Sequence, residues 1–345
     1  MPLTPSTHDL FARAARGERT EHTPVWLMRQ AGRSDPAYCK YREDHPAPLE
    51  ELFRSPAHAA HISLLPERFG VDAIIFYQDI LTPLTPMGAH FVFAPGPVLQ
   101  QPVDSVAALD ALTTFDPRAE LAFVPETFER IDAQLRGRLP VLGFAGAPLT
   151  LAVFVLQGGS FGGDAPRFRA FMEAEPAALH RFLDKAAQVT IDYLAMQADC
   201  GVAAVQLFES AAYLLSPEEY KTFALPYQQR IFAALRGRVK TINFARDWAD
   251  LPTLQAAGAD ILSLPREITI AQARAALGPA QVLQGNLDNH LLVRGPWDEI
   301  EREARRILSE GNHTAHIFNL SHGLLKETPF DHVQRVVTLV RSITA

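Results

Sequence analysis

The chain carries its clearest fold signal in the stretch Val202-Ala203-Ala204-Val205-Gln206-Leu207-Phe208, a strand-length and almost continuously apolar run. A run of this kind is typical of a parallel β-strand that is buried on both faces of its sheet. Further runs of similar length and character recur along the chain: Pro24–Met28, Asp72–Phe76, Pro140–Phe144, Val239–Phe244, Asp260–Leu264, Gln281–Gly285 and Ala315–Leu320.

The segments between these runs carry helix signals. Ser216-Pro217-Glu218-Glu219 combines an N-cap serine, a proline at the first helical position and a glutamate three residues after the cap. Ser55-Pro56 begins another helix in the same way. Strands that alternate with helices predict a parallel sheet, and the number of strand-like runs favours a (β/α)8 barrel over an open sheet.

The stretch from Asp79 to Leu139 is too long for one strand–helix unit, so we expect an inserted strand and extra helices there. The composition shows no break and the sequence no internal repeat, which predicts one domain over residues 1–345. The fold prediction is therefore an α/β protein, a single (β/α)8 TIM barrel with extra helices and loops at its mouth. In such a barrel the active site lies at the carboxyl ends of the strands.

Composition argues against several classes of function. A formal net charge of −7 without a compensating basic run argues against a nucleic-acid-binding surface. Met1–Pro5 has neither a basic nor an apolar stretch, and no apolar segment reaches membrane-spanning length, so we expect no signal peptide and no membrane partner. Cys39 and Cys200 are far apart, which fits a reducing cytoplasm and argues against a cysteine-built zinc site.

Two arginines follow the first apolar run, in the segment Arg29-Gln30-Ala31-Gly32-Arg33. Arginine holds carboxylates by paired hydrogen bonds and keeps its charge at any working pH. Ala31 and Gly32 are small enough to let the backbone approach a ligand. The segment predicts a site for anionic groups, and structural ion pairs at the surface are the alternative that the segment alone leaves open.

Polar side chains also follow other strand-like runs. Asp79 comes after the second run, Ser210 after the fourth and His322 after the last. A carboxylate enclosed by apolar residues needs a partner, so Asp79 is either a cap or ion-pair group or a stabiliser of developing positive charge. Ser210 can cap local backbone or face a ligand, and His322 is either a proton carrier or a structural histidine.

Two further motifs are interpreted as non-catalytic. Gly158–Gly163 is only superficially like a phosphate loop, because it lacks the Gly-Lys-Ser/Thr ending, and a flexible, lid-like loop is the better interpretation. His58 and His61 have a spacing that metals use, but no third ligand is evident nearby, so no metal site is expected.

Taken together, the motifs resemble the uroporphyrinogen decarboxylase family along nearly the whole chain, in order and in spacing. The matching segments are Met28–Arg33 (MRQAGR), Gly143–Thr150 (GFAGAPLT), Val205–Ser210 (VQLFES), Leu214–Glu219 (LLSPEE), Phe223–Tyr227 (FALPY), Leu283–Asp288 (LQGNLD) and His316–Gly323 (HIFNLSHG).

The resemblance implies a distorted (β/α)8 barrel, a homodimer, and an enzyme without a metal or organic cofactor. The substrate would be uroporphyrinogen, a cyclic tetrapyrrole with eight carboxylates, whose four acetate side chains lose carbon dioxide and become methyl groups. Such a substrate would explain arginines gathered in an acidic protein. Loss of carbon dioxide leaves an electron pair, which a pyrrole ring protonated at the neighbouring carbon can accept.

The resemblance also implies roles for individual residues. Asp79 would stabilise the cationic ring near its N–H groups, an effect that a dry site strengthens. Arg29 and Arg33 match the family's substrate-binding arginines, and Gln30, Ala31 and Gly32 between them belong to the same expected substrate-binding segment. One of the two arginines would also help in proton transfer. Ser210 and His322 match positions that contact substrate carboxylates.

Phe154, also in the expected substrate-binding set, departs from the family pattern, which has a tyrosine whose hydroxyl reaches the substrate. Tyr77-Gln78-Asp79 replaces the usual Phe-Ser-Asp, and Ser34-Asp35 replaces Tyr-Leu after the second arginine. One alternative is a non-catalytic tetrapyrrole-binding paralogue. The other is the related cobalamin-dependent, zinc-using methyltransferases, whose histidine-and-cysteine ligands the cysteines of this chain do not match.

Overall fold

The computed structural model describes residues 2–344, and nine β-strands lie within that range. They are β1 (Ile74–Ile75), β2 (Phe91–Phe93), β3 (Pro97–Leu99), β4 (Val141–Gly146), β5 (Ala204–Glu209), β6 (Lys240–Ala245), β7 (Ile261–Ser263), β8 (Val282–Gln284) and β9 (His316–Ile317).

The α-helices of the described residues surround these strands. They are α1 (Leu10–Ala15), α2 (Pro36–Asp44), α3 (Leu49–Arg54), α4 (Pro56–Leu64), α5 (Leu84–Met87), α6 (Val106–Asp110), α7 (Pro117–Glu120), α8 (Phe123–Leu135), α9 (Pro148–Gln157), α10 (Pro166–Ala174), α11 (Pro176–Asp199), α12 (Pro217–Phe223), α13 (Leu225–Leu235), α14 (Leu251–Ala256), α15 (Ile270–Leu277), α16 (Asn289–Arg294), α17 (Trp297–Gly311) and α18 (Phe330–Ser342). Short 3₁₀ helices cover Leu65–Phe69 and Ala212–Leu214.

Seven strands form one parallel sheet in the order β1-β4-β5-β6-β7-β8-β9. Each strand pairs with the next strand of that order, and helices connect them, which is the winding of a (β/α)8 barrel. The α/β barrel prediction is confirmed, and each of these seven strands overlaps one of the apolar runs.

The eighth position of the barrel is filled by the run Pro24–Met28, which lies between β9 and β1. The Phe318 N–H donates to the Pro24 carbonyl at 2.8 Å, and the Asp72 N–H donates to the Val25 carbonyl at 2.7 Å. Val25 also forms a parallel bridge with Phe318. The barrel is therefore closed at this position, although the run has no regular strand of its own.

Side chains take over the hydrogen bonds that a regular ladder would have made along this closing segment. The Leu27 N–H donates to Oε1 of Gln30, and the Met28 N–H donates to Oδ1 of Asn319, both at 3.0 Å. Since a buried N–H needs a partner, these amides let the segment leave the sheet without losing its bonds. The expectation of a regular strand at Pro24–Met28 is corrected to an irregular one.

The interior of the barrel holds a polar network. Gln284 on β8 donates to Oε1 of Gln206 on β5 at 2.9 Å, and Trp26 Nε1 donates to Oε1 of Gln284 at 3.1 Å. These residues come from strands that are not neighbours in the sheet, so their side chains meet across the barrel axis. All three are fully buried, and the bonds offset the cost of burying amide groups.

Local signals in the sequence start the helices as expected. Ser216 and Glu219 form a complete capping box at α12, and Ser55 accepts a hydrogen bond from the His58 N–H at the start of α4. The long connection after Asp79 contains α5 to α8 and an antiparallel hairpin of β2 and β3. One inserted strand was expected there, and the structure has two.

Candidate active site

The segment that carries Arg29 and Arg33 turns sharply at the end of the closing segment. Arg29 adopts a left-handed backbone with φ 61°, which is uncommon for a residue with a side chain. The Gln30 N–H donates back to the Leu27 carbonyl at 3.0 Å, and the Asp35 N–H donates to the Gly32 carbonyl at 2.9 Å. These bonds fix the turn at the carboxyl end of the barrel.

Gln30 holds this turn from the inside. Its side chain is buried, with 1% of the residue exposed, and its amide accepts from the Leu27 N–H and donates to the Ala73 carbonyl at 3.1 Å. The structure therefore gives the Gln30 side chain a positioning role rather than a place at the opening. Ala31 and Gly32 are half-buried beside it.

Gly323 makes room for the Arg29 side chain. A Cβ atom at position 323 would lie 2.5 Å from Cδ and 2.8 Å from Cγ of Arg29, closer than atoms can approach. The glycine that follows His322 is therefore needed by the arginine across the barrel mouth. Sequence reasoning noted this glycine without finding its partner.

The two guanidinium groups remain available for a ligand. Within residues 2–344, neither Arg29 nor Arg33 forms an ion pair with a carboxylate at contact distance. Arg29 is accessible to solvent and yet enclosed by protein on most sides, and this burial lowers its pKa, with nearby Asp79 opposing the shift. Surface ion pairs, the alternative for this segment, are not formed by either arginine in the described part of the chain.

Asp79 lies just beyond β1 at the same end of the barrel. Its Oδ1 accepts a hydrogen bond from the Leu81 N–H at 2.7 Å. Burial raises the pKa of Asp79 to about 6, against the opposing effects of the Leu81 N–H and the Arg29 charge. A carboxylate whose pKa lies close to neutral pH, within electrostatic reach of a guanidinium and partly enclosed by protein, is suited to stabilise a cation or to exchange a proton.

His322 is held as a neutral hydrogen-bond donor. Burial together with the charges of Arg29 and Arg246 lowers the pKa of His322 to about 3, so the ring is uncharged at neutral pH. Its Nδ1 accepts the Gly323 N–H at 2.7 Å, which leaves the ring proton on Nε2. The Nε2–H group can then donate to a substrate carboxylate.

Ser210 is positioned by a buried carboxylate. The Ser210 N–H donates to the Thr150 hydroxyl oxygen at 2.7 Å, and that hydroxyl donates to Oε1 of Glu209 at 2.5 Å. Burial raises the pKa of Glu209 to about 7, and the bonds from Thr150 and the Ala211 N–H oppose the rise. Glu209 therefore acts on the backbone at the end of β5 rather than on a ligand.

Phe154 packs against the loop Gly158–Gly163, called the glycine-rich loop below. Its ring lies 4.9 Å from that of Phe161, at an interplanar angle of 64°. The loop is also bonded to neighbouring elements: the Ser160 N–H donates to the Pro97 carbonyl at 3.0 Å, and the Tyr213 hydroxyl donates to the Gly162 carbonyl at 2.7 Å. Phe154 thus connects the loop to the barrel through its ring.

A row of aromatic rings crosses the mouth, and sequence reasoning did not find it. Phe76, Phe144, Phe208 and Phe244 come from adjacent strand ends, with ring centroids 5.0, 5.5 and 5.4 Å apart. His322 continues the row at 5.7 Å from Phe244. Phe76, Phe144 and Phe244 are buried, at 2%, 6% and 3% exposure, so the partly exposed Phe208 and His322 are the members of the row that a ligand can contact. Each phenylalanine is the aromatic residue near the end of its apolar run, a signal that becomes informative only once the strands are aligned.

An open side pocket adjoins Asp79. It is bounded by phenylalanines of α3, the β2–β3 hairpin and α8, together with Glu50 and Arg54: Phe53, Phe91, Phe93 and Phe123. The inserted elements thus add apolar walls next to Asp79.

No group of three or more histidine, cysteine or acidic side chains within residues 2–344 is arranged to hold a metal ion. His58 Nδ1 shares a hydrogen bond with the Tyr41 hydroxyl at 2.7 Å, and His61 stacks on the Tyr41 ring at 4.2 Å. Cys39 and Cys200 are both free thiols. Among the helices of the described residues, none is long and apolar enough to cross a membrane.

The fold and this site define a class of protein: a (β/α)8 barrel whose mouth combines free guanidinium groups, an enclosed carboxylate and a row of aromatic rings. The family model described as uroporphyrinogen decarboxylase (URO-D) matches residues 6–343. The chain belongs to the uroporphyrinogen decarboxylase family.

Relatives in sequence and structure agree with this assignment. A protein named uroporphyrinogen decarboxylase from Geobacillus thermodenitrificans is 37% identical over 356 residues and covers 99% of each chain. Another of that name from Thermus thermophilus is 40% identical over 347 residues, covering 98% of this chain and 99% of the relative. A methyltransferase from Methanosarcina mazei superimposes with a TM-score of 0.81 at 19% identity, over 98% of this chain and 99% of that one, and shows a shared fold alone.

Proposed function

We propose that the chain decarboxylates the four acetate side chains of uroporphyrinogen III to methyl groups and so produces coproporphyrinogen III for porphyrin and haem biosynthesis. The observation that carries the proposal is the enclosed Asp79 carboxylate within electrostatic reach of the unpaired Arg29 guanidinium, in a chain that matches this family along almost its whole length. A guanidinium group can bind the substrate carboxylates, and a carboxylate can stabilise the pyrrole cation that develops in the reaction.

Each of the four reactions has the same balance of atoms and charge. A proton adds to the pyrrole carbon next to the one that bears the acetate, and the ring becomes cationic. The bond between the acetate methylene and its carboxylate then breaks, carbon dioxide leaves, and the electron pair moves into the ring. A proton taken up by the methylene carbon completes the methyl group, while the ring proton is released. The net change is one proton consumed and one carbon dioxide formed.

Asp79 would act on the cationic intermediate. Its carboxylate attracts the ring N–H groups and the positive charge of the ring, and the low-polarity surroundings strengthen this attraction. Ionised Asp79 is the form that performs this role, so a pKa of about 6 keeps it active at neutral pH. Arg29 and Arg33 would bind substrate carboxylates, and one of them would assist the proton transfer.

The remaining residues would position the macrocycle. The neutral His322 ring donates from Nε2 to a carboxylate, and Ser210 offers its hydroxyl beside it. Ala31 and Gly32 leave space for the ligand next to the backbone. Phe154 contributes its ring alone, and Gln30 contributes by holding the turn.

Several properties of the whole protein belong to the same proposal. We propose a single domain over residues 1–345, a homodimer and a cytoplasmic location, all supported by the family resemblance. Catalysis without a metal or organic cofactor is supported by the chemistry, because the pyrrole ring itself serves as the electron acceptor.

The test is product analysis of the purified chain with uroporphyrinogen III under anaerobic conditions, with and without a strong chelator. We expect coproporphyrinogen III and the same rate in both samples. Phe154→Tyr should change turnover by no more than about tenfold, since one neutral hydrogen bond contributes about 0.5–1.5 kcal/mol. If the wild type binds the substrate without making product while Phe154→Tyr makes it, the chain is a non-catalytic paralogue and the proposal is wrong.

A further inference from the structure

Arg246 lies at the barrel mouth beside the residues already described. It follows β6 directly, and its N–H donates to the Glu209 carbonyl at 2.9 Å, which places its backbone next to Ser210. Its charge is also close enough to lower the pKa values of both Arg29 and His322. Arg246 therefore belongs to the same opening, although no motif in the sequence drew attention to it.

The Arg246 guanidinium is oriented by an aromatic ring. Its central carbon lies 4.6 Å from the ring centroid of Tyr213. The delocalised guanidinium group stacks on aromatic faces, which holds its orientation before a ligand arrives. Tyr213 in turn donates its hydroxyl hydrogen to the Gly162 carbonyl of the glycine-rich loop at 2.7 Å. The loop and the guanidinium thus share one supporting residue.

The charge of Arg246 is only weakly neutralised. Its one carboxylate partner at contact distance among residues 2–344 is Asp247, with Nε and Oδ2 3.3 Å apart and both side chains about one third exposed, at 35% and 36%. Asp247 also contacts Arg266 at 3.6 Å. Arg266 has two further carboxylate partners, Glu267 at 2.9 Å and Asp288 at 3.9 Å. Arg246 thus has one carboxylate partner and Arg266 has three, so the positive charge of Arg246 is the less neutralised of the two.

We propose that Arg246 binds a carboxylate of the tetrapyrrole on a pyrrole other than the reacting one. The inference rests on the proposed function, because it takes an octacarboxylate macrocycle as the ligand. Arg29 ends the closing segment, which lies next to β1 and hence to Asp79, whereas Arg246 follows β6, and β4 and β5 lie between β1 and β6 in the sheet. Arg246 therefore lies farther round the barrel mouth from Asp79 than Arg29 does. A macrocycle centred over Asp79 would bring carboxylates of its other rings to this part of the rim.

This position predicts an effect on binding rather than on chemistry. A contact to a non-reacting side chain is equally strong in the ground state and in the transition state, so its loss raises KM and leaves kcat unchanged. A charge-assisted contact of this kind changes affinity at least about tenfold. Tyr213→Leu should raise KM less, because it removes the orienting ring but keeps the charge, and Tyr213→Phe should stay closer to the parent.

The experiment compares Arg246→Gln with two matched variants of the same rim, Arg266→Gln and Asp247→Asn. KM and kcat are measured with uroporphyrinogen III, and Kd is measured separately by fluorescence with uroporphyrin, the oxidised octacarboxylate that does not turn over. Arg246→Gln should raise both KM and Kd at least about tenfold with kcat within about threefold of the parent. Arg266→Gln and Asp247→Asn should retain parental KM and Kd.

Several results would overturn the inference. They are parental Kd and KM in Arg246→Gln, an equal rise in Asp247→Asn, which would make Arg246 a structural partner of Asp247, and a fall in kcat alone. The Kd measurement separates this inference from the proposed function. If the wild type binds uroporphyrin through Arg246 but makes no product, the binding role of Arg246 stands and the proposed decarboxylase activity is wrong. If the wild type binds no uroporphyrin, both are wrong.

Discussion

At the scale of single residues, the site is organised around charges kept in unusual states. Burial raises the pKa of Asp79 to about 6 and lowers the pKa of Arg29. It also helps to lower the pKa of His322 to about 3, which keeps the ring uncharged at neutral pH. Such states are unstable in an ordinary surface environment and persist here because the barrel mouth encloses them. In the proposed reaction, each group would meet a charged substrate in the form that the chemistry needs.

The two arginines should not be replaceable by lysine. Arg29→Lys and Arg33→Lys keep the charge but lose the planar pair of N–H donors that fits a carboxylate. We expect each to weaken binding by on the order of 1.5–3 kcal/mol, seen as a rise in KM or in Kd for uroporphyrin. Wild-type binding in either lysine variant would contradict bidentate recognition at that position.

Asp79 should set the acid limb of the pH profile. Its pKa of about 6 means that the carboxylate gains a proton as the pH falls through 6, and the protonated form cannot stabilise a cation. We expect kcat/KM to be level above that pH and to fall about tenfold per pH unit below it. Glu209, with a pKa raised to about 7, is the competing assignment, so Glu209→Gln serves as the control. If the acid limb of the pH profile disappears in Glu209→Gln, it reports the titration of Glu209 and not of Asp79.

The sequence pointed to Arg29, Arg33, Asp79 and His322 because each lies shortly after an apolar run, and the family resemblance supplied their expected roles. It could not assign their states, since these depend on enclosure by distant segments. It also grouped Gln30 with the ligand contacts, because neighbours in sequence were taken as neighbours at the site. In the fold, the side chain of Gln30 turns inward to the backbone of Leu27 and Ala73.

At the scale of elements, the barrel closes through an irregular segment rather than a regular strand. Side-chain amides of Gln30 and Asn319 bond the N–H groups of Leu27 and Met28, so the chain can leave the sheet and turn into the arginine segment. The apolar run predicted the position of this segment correctly. Its irregularity could not be predicted, because it depends on amides contributed from other parts of the chain.

Gly323→Ala tests how tightly the last loop and the arginine segment fit together. The new Cβ would lie 2.5 Å from Cδ of Arg29 and would push the side chain away from its position. We expect at least about a tenfold loss in kcat/KM, comparable to losing a charge-assisted contact, with the fold retained in circular dichroism. Gly163→Ala is the matched control, since nothing lies within 4 Å of a Cβ there. Full activity in Gly323→Ala would show that Arg29 does not need this position.

At the scale of the whole molecule, the end of the barrel opposite the mouth is fastened by the buried carboxylate of Asp72. It accepts hydrogen bonds from the Val25 N–H at 2.9 Å and from His8 at 2.8 Å, and Arg341 lies 3.5 Å away. Asp72 therefore connects three parts of the chain: His8 near the N-terminus, the closing segment Pro24–Met28 and the C-terminal helix α18. No sequence motif indicates this role, because the partners are separated by almost the length of the chain.

Asp72 should make stability depend on pH in the acid range. Burial opposes its ionisation, but His22, His8, the Val25 N–H and Arg341 outweigh burial and lower the pKa of Asp72 to about 2. A carboxylate whose folded pKa lies below its unfolded value of 3.8 contributes stability above pH 4, and this contribution, about 2 kcal/mol, is lost as the pH falls towards 2.

Asp72→Asn should therefore lower the free energy of unfolding at pH 7 by roughly 2–4 kcal/mol, because the buried Val25 N–H and the partly exposed His8, His22 and Arg341 lose the buried carboxylate that they share. The difference from the wild type should shrink as the pH falls to 2, which urea unfolding over a pH series would measure. Asp44→Asn, at an exposed pair with Lys40, is the control and should change little. A pH-independent difference for Asp72→Asn would contradict the electrostatic account.

The central claim is that the charge of Asp79 drives decarboxylation, and the turnover of Asp79→Asn at neutral pH tests it most directly. Because the pKa of Asp79 is raised in the folded state, ionised Asp79 costs stability above pH 4, so asparagine should leave the melting temperature unchanged or higher. The account predicts normal uroporphyrin binding and a fall in turnover of about a hundredfold or more. Near-normal turnover in this variant would contradict it.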